Sequence, residues 1–229
     1  MKKIALFIFL SLWAAGSVQA APCYKTKMPE QWQWFWGTEV NYIFDRDLER
    51  DLGDFRSGQS FITGTLGLTD WLCFDGAVGA GFIDYDPMDT TEISFDTGFA
   101  GKYGFRIKVY DREDNPLKAV FGFQHISVHP KRKVVNNVKR EVIFDDWQAS
   151  LIASYNGLGR FVPYVGGKVS RGDIIERQDT VRDRRKSNND VDFGAVGGCN
   201  FFITEEWWLT LEGRYFDEEA ASFSVTHSF

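Results

Sequence analysis

Outside its first twenty residues, this 229-residue chain has no apolar run long enough to cross a bilayer as a helix. That excludes a helical membrane protein. Mean hydropathy is slightly negative, at −0.27. Cysteine is scarce. Cys23, Cys73 and Cys199 make an odd count that allows at most one disulfide, and their spacing fits no metal motif, so neither a metal nor a cofactor is expected. Small side chains on packed strands explain Cys73 and Cys199 well enough. Histidine is as scarce: His125, His129 and His227 are all the imidazoles available for acid–base chemistry. An excess of positive charge is missing too. The formal net charge is −6 and becomes −8 once Lys2 and Lys3 leave by processing, which argues against nucleic acid as a partner.

Processing is expected because the amino terminus has the three parts of a secretory signal. Met1-Lys2-Lys3 is a basic start, Ile4 to Ala15 is an apolar stretch, and Val18 and Ala20 are small residues at the positions a signal peptidase reads. Cleavage is placed after Ala20. Pro22 before Cys23 makes a lipidation site a poor fit. Residues 1–20 are then a cleaved signal peptide, and 21–229 form one domain of 209 residues.

Aromatics are abundant, with 21 Phe, 8 Trp and 8 Tyr, beside 22 Gly. They fall in alternating patterns. The last segment sets Ala221, Phe223, Val225, His227 and Phe229 against Ser222, Ser224, Thr226 and Ser228. Strict period-two alternation marks a strand between two different solvents. About ten such segments can be read: 35–45, 57–69, 71–84, 93–109, 118–128, 141–155, 161–172, 191–203, 207–216 and 220–229. Long polar connections at 46–56, 85–92, 129–140 and 173–190 alternate with short turns at 69–70, 156–160 and 204–206. The expected fold is all-β: a closed antiparallel up-and-down transmembrane β-barrel of ten strands, or eight if two weak segments are not separate strands. The short connection Asp217-Glu218-Glu219 is the weak point of the ten-strand count. An even count with short turns on the periplasmic side puts both termini in the periplasm.

Charge follows the alternation. In 93–109, Phe95, Phe99, Tyr103, Phe105 and Ile107 oppose Asp96, Lys102, Arg106 and Lys108; in 207–216, Trp207, Leu209 and Leu211 oppose Thr210, Glu212 and Arg214. A Lys or Arg facing the bilayer midplane costs about 2–4 kcal/mol, so such charges belong inside. The expected interior is a packed, charge-paired polar core built from Glu39, Asp75, Asp96, Lys102, Arg106, Asp146, Lys168, Glu212 and Arg214. Two connections are strongly basic. Lys131, Arg132, Lys133, Lys139 and Arg140 lie in one; Arg182, Arg184, Arg185 and Lys186 lie in the other. They suit phosphates of lipopolysaccharide or an anionic polymer. The 45–54 stretch mixes Asp45, Asp47, Glu49, Asp51 and Asp54 with Arg46 and Arg50; the arginines can satisfy the carboxylates and the spacing matches no calcium loop, so no cation site is expected.

Gly67-Leu68-Thr69-Asp70-Trp71-Leu72, Phe161-Val162-Pro163-Tyr164-Val165-Gly166-Gly167 and the closing Phe223 to Phe229 run resemble the small outer-membrane β-barrel proteins, the class of outer-membrane-protein-A-like and opacity-like barrels. That resemblance spans nearly all of the mature chain. It implies that Phe229 is the signal read by the barrel-insertion machinery, and that His227 stands where such barrels often carry Tyr. Trp34, Trp36, Trp71, Trp147, Trp207 and Trp208 read as interfacial girdles. His125 and His129 approach one rim with Ser127 and the Asp145-Asp146 pair, but no motif marks a nucleophile, so the grouping reads as a chance rim cluster. The expected function is non-enzymatic: a monomeric envelope protein with a plugged lumen whose basic outer loops touch outer-membrane lipids and lipopolysaccharide. A narrow pore is the alternative, and a lipid-modifying enzyme or protease comes third.

Overall fold

The computed structural model describes residues 26–49, 53–87, 91–178 and 190–229. Eleven strands form one sheet: β1 (Trp34–Asp45), β2 (Asp54–Thr69), β3 (Leu72–Asp86), β4 (Ile93–Asp111), β5 (Leu117–His129), β6 (Lys133–Val135), β7 (Val138–Tyr155), β8 (Phe161–Gln178), β9 (Phe193–Phe202), β10 (Trp207–Tyr215) and β11 (Glu219–Ser228). Every pairing is antiparallel. β11 returns to β1 with Phe35 opposite Ser228, and β5 pairs directly with β7, so ten strands close on themselves. Closure gives each of the ten wall strands a partner on both sides, which a membrane wall requires.

β6 is the exception to that circuit. It folds back only on β7, through a turn at Asn136 and Asn137 with φ of 50° and 63°. Two consecutive left-handed residues make a type I′ hairpin turn, which asparagine tolerates well. The basic 129–140 connection is therefore half hairpin. β8 likewise runs on to Gln178, past the expected end of its strand.

The connections sort by length onto two ends. At the turn end, Thr69 Oγ1 accepts from the Trp71 and Leu72 amides, and Thr204 Oγ1 accepts from the Glu206 and Trp207 amides. Each threonine satisfies amides that the sheet leaves unpaired. The loop end carries the longer connections and one short one. Between β10 and β11 the chain reverses within Phe216–Glu218, with Phe216 at φ 83°.

Outward positions carry Trp34, Trp36, Val78, Phe99, Tyr103, Leu151, Val165, Leu211 and Phe223. Inward positions are layered. At the turn end, residues 26–29 tuck into the opening, and Lys27 Nζ lies over the rings of Trp208 and Phe202 at 4.4 and 4.9 Å. Trp208 is fully buried beside Phe35, so it belongs to this closure and not to a girdle. Above come polar and charged layers. At the loop end the interior turns apolar, with Phe55, Ile83, Phe95, Val128, Val142, Phe144 and Ile174 in one buried cluster. A uniformly polar core does not describe this interior. These apolar side chains hold the inward parity where the barrel wall rises past the charged layers.

The register corrects one lumen assignment. Gly81 pairs with Gly98, but Ile83 pairs with Phe95, so β4 carries an extra residue at Asp96–Thr97. This bulge reverses parity along the strand. Below it Phe99, Tyr103 and Phe105 face outward. Above it Ile93 and Phe95 face the interior, and Asp96 is exposed on the outside.

Candidate functional site

Two clusters of chemically capable side chains stand out. The first fills the interior. Arg46, just past β1, is 1% exposed. Its Nη1 lies 2.7 Å from Asp146 Oδ2 and 3.1 Å from Glu218 Oε2, and its guanidinium stacks on Phe144. The expected pairing within the 45–54 stretch is therefore not what Arg46 makes: its ion pairs with Asp146 and Glu218 come from β7 and from the tight reversal between β10 and β11. Lys168 on β8 reaches Asp217 at 2.7 Å and Glu218 at 2.5 Å. Arg214 on β10 lies 2.8 Å from Glu218 and donates to Asn41 at 2.9 Å. Tyr164 donates to Glu212 at 2.7 Å. Nearer the turn end, Lys102 pairs with Glu39, and Arg106 with Asp75 at 2.7 Å. A cavity of about 50 Å³ lies between these two pairs.

The upper network sets three cations, Arg46, Lys168 and Arg214, against four carboxyl groups, Asp146, Glu212, Asp217 and Glu218. One carboxyl is in excess. Burial, reinforced by the neighbouring Glu218, pushes Asp217 up despite Lys168. Burial works against the Glu218 anion as well, but Lys168, Arg214 and Arg46 together outweigh it and hold Glu218 well below the usual carboxylate range. Burial also acts to lower Arg46, and Asp146 and Glu218 overcome it, so its guanidinium stays charged. Lys27 is lowered by burial in its aromatic setting, with Glu205 opposing.

Glu39, Asp75, Lys102, Arg106, Asp146, Lys168, Glu212 and Arg214 thus share the interior, and Asp96 does not. Sequence reading missed Arg46, Asp217 and Glu218. A long charged side chain in a loop carries no mark that its partners lie 100 and 172 residues away.

The second cluster is on the outside, near the loop end. Ser127 on β5 stands opposite Asp145 on β7 and donates to its carboxylate. Ser127 Oγ also lies 2.8 Å from His129 Nε2. His125 Nε2 is 3.6 Å from the same Asp145 oxygen, and its ring sits 4.0 Å from Trp147 and 5.2 Å from Tyr103. Asp146 turns inward and takes no part. His227 is far away at the turn end, between Trp207 and Phe229.

The basic side chains divide. Lys131, Arg132, Lys133 and Lys139 are exposed at the loop end, with Arg132 and Arg177 both on Glu141, at 3.1 and 3.7 Å. Arg140 does not join them. It faces the interior and pairs with Glu176 at 3.2 Å, because β7 begins at Val138, so Arg140 is already in the strand and its parity points inward. Arg182, Arg184, Arg185, Lys186, Cys23 and the expected signal peptide lie outside the described residues. Cys73 is buried inside and Cys199 lies half-buried on the outer wall, both with free thiols. Among the described residues, no three His, Cys, Asp or Glu side chains are grouped to hold a metal ion.

No family model and no curated protein matches the sequence. The fold is similar to solved structures. An outer-membrane channel from Pseudomonas putida F1 has 10% identity and a TM-score of 0.48, over 91% of this chain and all of the other. The translocator domain of the autotransporter NalP from Neisseria meningitidis has 10% identity and a TM-score of 0.45, over 89% of this chain and 90% of that one. An outer-membrane protease from Escherichia coli has 9% identity and a TM-score of 0.40, over 86% and 95%. The wall itself is the stronger statement: ten antiparallel strands close into a ring with an aromatic, apolar outside and ion-paired side chains inside. This chain is a closed ten-strand, up-and-down transmembrane β-barrel.

Proposed function

We propose that the barrel works at its outer surface and not through its lumen. It is a sealed, monomeric envelope protein with its loop end outside the cell and its termini in the periplasm. The observation that carries this reading is the stack of buried layers across the interior: the 26–29 segment with Trp208, the ion pairs of Arg106, Lys102, Lys168 and Arg46, and the apolar cluster around Phe55 and Phe144. Ten strands enclose little space once side chains fill it. Lys131, Arg132, Lys133 and Lys139 then form a basic collar that meets the phosphates of lipopolysaccharide, as charge-assisted contacts do best at a partly dehydrated interface. Phe229 closes the last strand as the signal for the insertion machinery.

Planar-bilayer recording tests the sealed lumen. A silent protein is expected, and steady single-channel current from the intact chain would replace this reading with a pore. Replacing Lys131, Arg132, Lys133 and Lys139 with Gln is expected to weaken binding to lipopolysaccharide micelles and flatten its salt dependence. Unchanged binding would remove the collar.

A further inference from the structure

We propose that the outer wall carries a serine-esterase site, with Ser127 as nucleophile and His129 as its base, that cleaves acyl esters of outer-leaflet lipids. Sequence alone offers only a rim cluster. The structure brings Ser127, His129, Asp145 and His125 into one contact set on the lipid-facing side of β5 and β7.

Depth selects the substrate. Ser127 lies ten residues up β5 from Leu117, which pairs with Tyr155 at the turn end. At about 3.3 Å per residue and a tilt of about 40°, that is about 25 Å, the full height of a barrel's apolar band. The hydroxyl therefore sits at the upper edge of the hydrocarbon, level with the linkages that join acyl chains to headgroups. Neighbouring outward side chains at that depth are Phe99, Tyr103, Phe123 and Trp147. Four hydrogen-bonding side chains facing lipid among them are costly unless they serve chemistry there. The interior ion pairs do not use them.

The same face continues upward into positive charge. Arg132 and Arg177 flank Glu141 above Ser127, and Arg171 is exposed on β8 opposite Trp147, one outward position nearer the turn end than Asp145. Glu141 and Asp173, the latter opposite Asp145, are the acidic exceptions. A phosphorylated headgroup held by these arginines would hang its acyl esters beside Ser127. The chemistry fits any lipid that joins a phosphate-bearing headgroup to ester-linked chains, whether lipopolysaccharide or a glycerophospholipid.

In the reaction the Ser127 hydroxyl turns its proton from Asp145 to the unprotonated Nε2 of a neutral His129, and Oγ attacks the ester carbonyl carbon as that proton passes to the imidazole. The tetrahedral centre collapses, the carbon–oxygen bond to the headgroup breaks, and the departing alkoxide takes the proton from His129. Water, deprotonated by His129, then attacks the acyl-serine, releasing a fatty acid and restoring the hydroxyl. Asp145 acts as a positioning residue, holding Ser127 and His125 on the wall.

This site rests on the loop end lying at the outer leaflet, but its chemistry can be tested in mixed micelles, where orientation is irrelevant. The refolded full barrel is mixed with lipopolysaccharide or with a diacyl phosphatidylethanolamine, and released fatty acid is measured by mass spectrometry. Release is expected, falling by about 10³-fold or more in Ser127→Ala. Asp145→Asn should lose most of the activity and Asp145→Glu recover part of it. A fluorophosphonate probe should label the intact protein and spare Ser127→Ala, with both showing the same heat-modifiable gel mobility. Release from one lipid alone identifies the source of the ester. No release from either lipid together with no labelling, or full activity in Ser127→Ala, overturns the site. Loss in His125→Ala with retention in His129→Ala overturns His129 as base. A channel current with lipolysis intact would fault the sealed lumen and leave this site standing.

Discussion

Lys168 is the residue on which the interior network turns. Its ammonium touches both Asp217 and Glu218, and it is fully buried. Removing one member of a buried ion group leaves an uncompensated charge, a loss of about 3–5 kcal/mol. Lys168→Met is therefore expected to lower the melting temperature in detergent sharply, and Asp217→Asn far less, because burial already pushes Asp217 toward its neutral form. The double variant should recover part of the loss, and failure to do so would mean that the ammonium acts mainly through Glu218. The two carboxyls also respond to acid with opposite sign. Glu218 is lowered in the fold, so its stabilisation is complete above its ordinary value of 4.5 and disappears as pH falls well below it. Asp217 is raised above its ordinary 3.8, so stability is gained as pH falls through its folded value. The expected melting curve holds or rises slightly from neutrality toward pH 4.5, then falls, and Glu218→Gln removes the fall. A steady decline from pH 7 would contradict both shifts.

The strands were legible because each lies between two solvents, and period-two alternation survives in the sequence wherever that contrast is strong, as in β10 and β11. What defeated sequence reading at this scale was irregular backbone. The bulge at Asp96–Thr97 has no residue signature, so Phe95 and Phe99 looked alike, although one packs inside and the other faces lipid. β6 was missed although Val134-Val135-Asn136-Asn137-Val138 carries a hairpin signal in its paired asparagines. The bulge makes a sharp prediction. Deleting Thr97 leaves Phe95 and Gly98 two positions apart, so both keep their inward facing and the alternation becomes regular. The deletion is expected to fold at a cost of about 1 kcal/mol. Deleting Tyr103 instead reverses every side chain on one side of the gap and is expected to abolish the compact, heat-modifiable form on a gel. Equal tolerance of the two deletions would mean that β4 is not held in register by its facing pattern.

At the scale of the whole barrel, closure and filling are separate achievements: the chain shows closure and which charges turn inward, but not how they meet. The filling depends on contacts between distant strands: Arg46 with Asp146 and Glu218, Lys27 with Trp208, and Phe55 with Phe144 at a ring separation of 4.7 Å. An apolar residue on an inward parity gives no sign of whether it meets water, lipid or another ring. The outer-wall site was half legible, since its four residues were adjacent in the sequence reading, but their hydrogen bonds needed the β5–β7 register. Layered filling predicts redundancy in the seal. Phe55→Ala and Phe144→Ala should each cost about 3–5 kcal/mol, and together less than the sum because the rings touch each other. The double variant is still expected to be silent in a planar bilayer, because the Arg46–Asp146–Glu218 layer lies directly beneath and the wall hydrogen bonds are untouched. Steady current through it would mean that the apolar cluster alone closes the barrel, and that the ion pairs below fix the shape of the interior without blocking it.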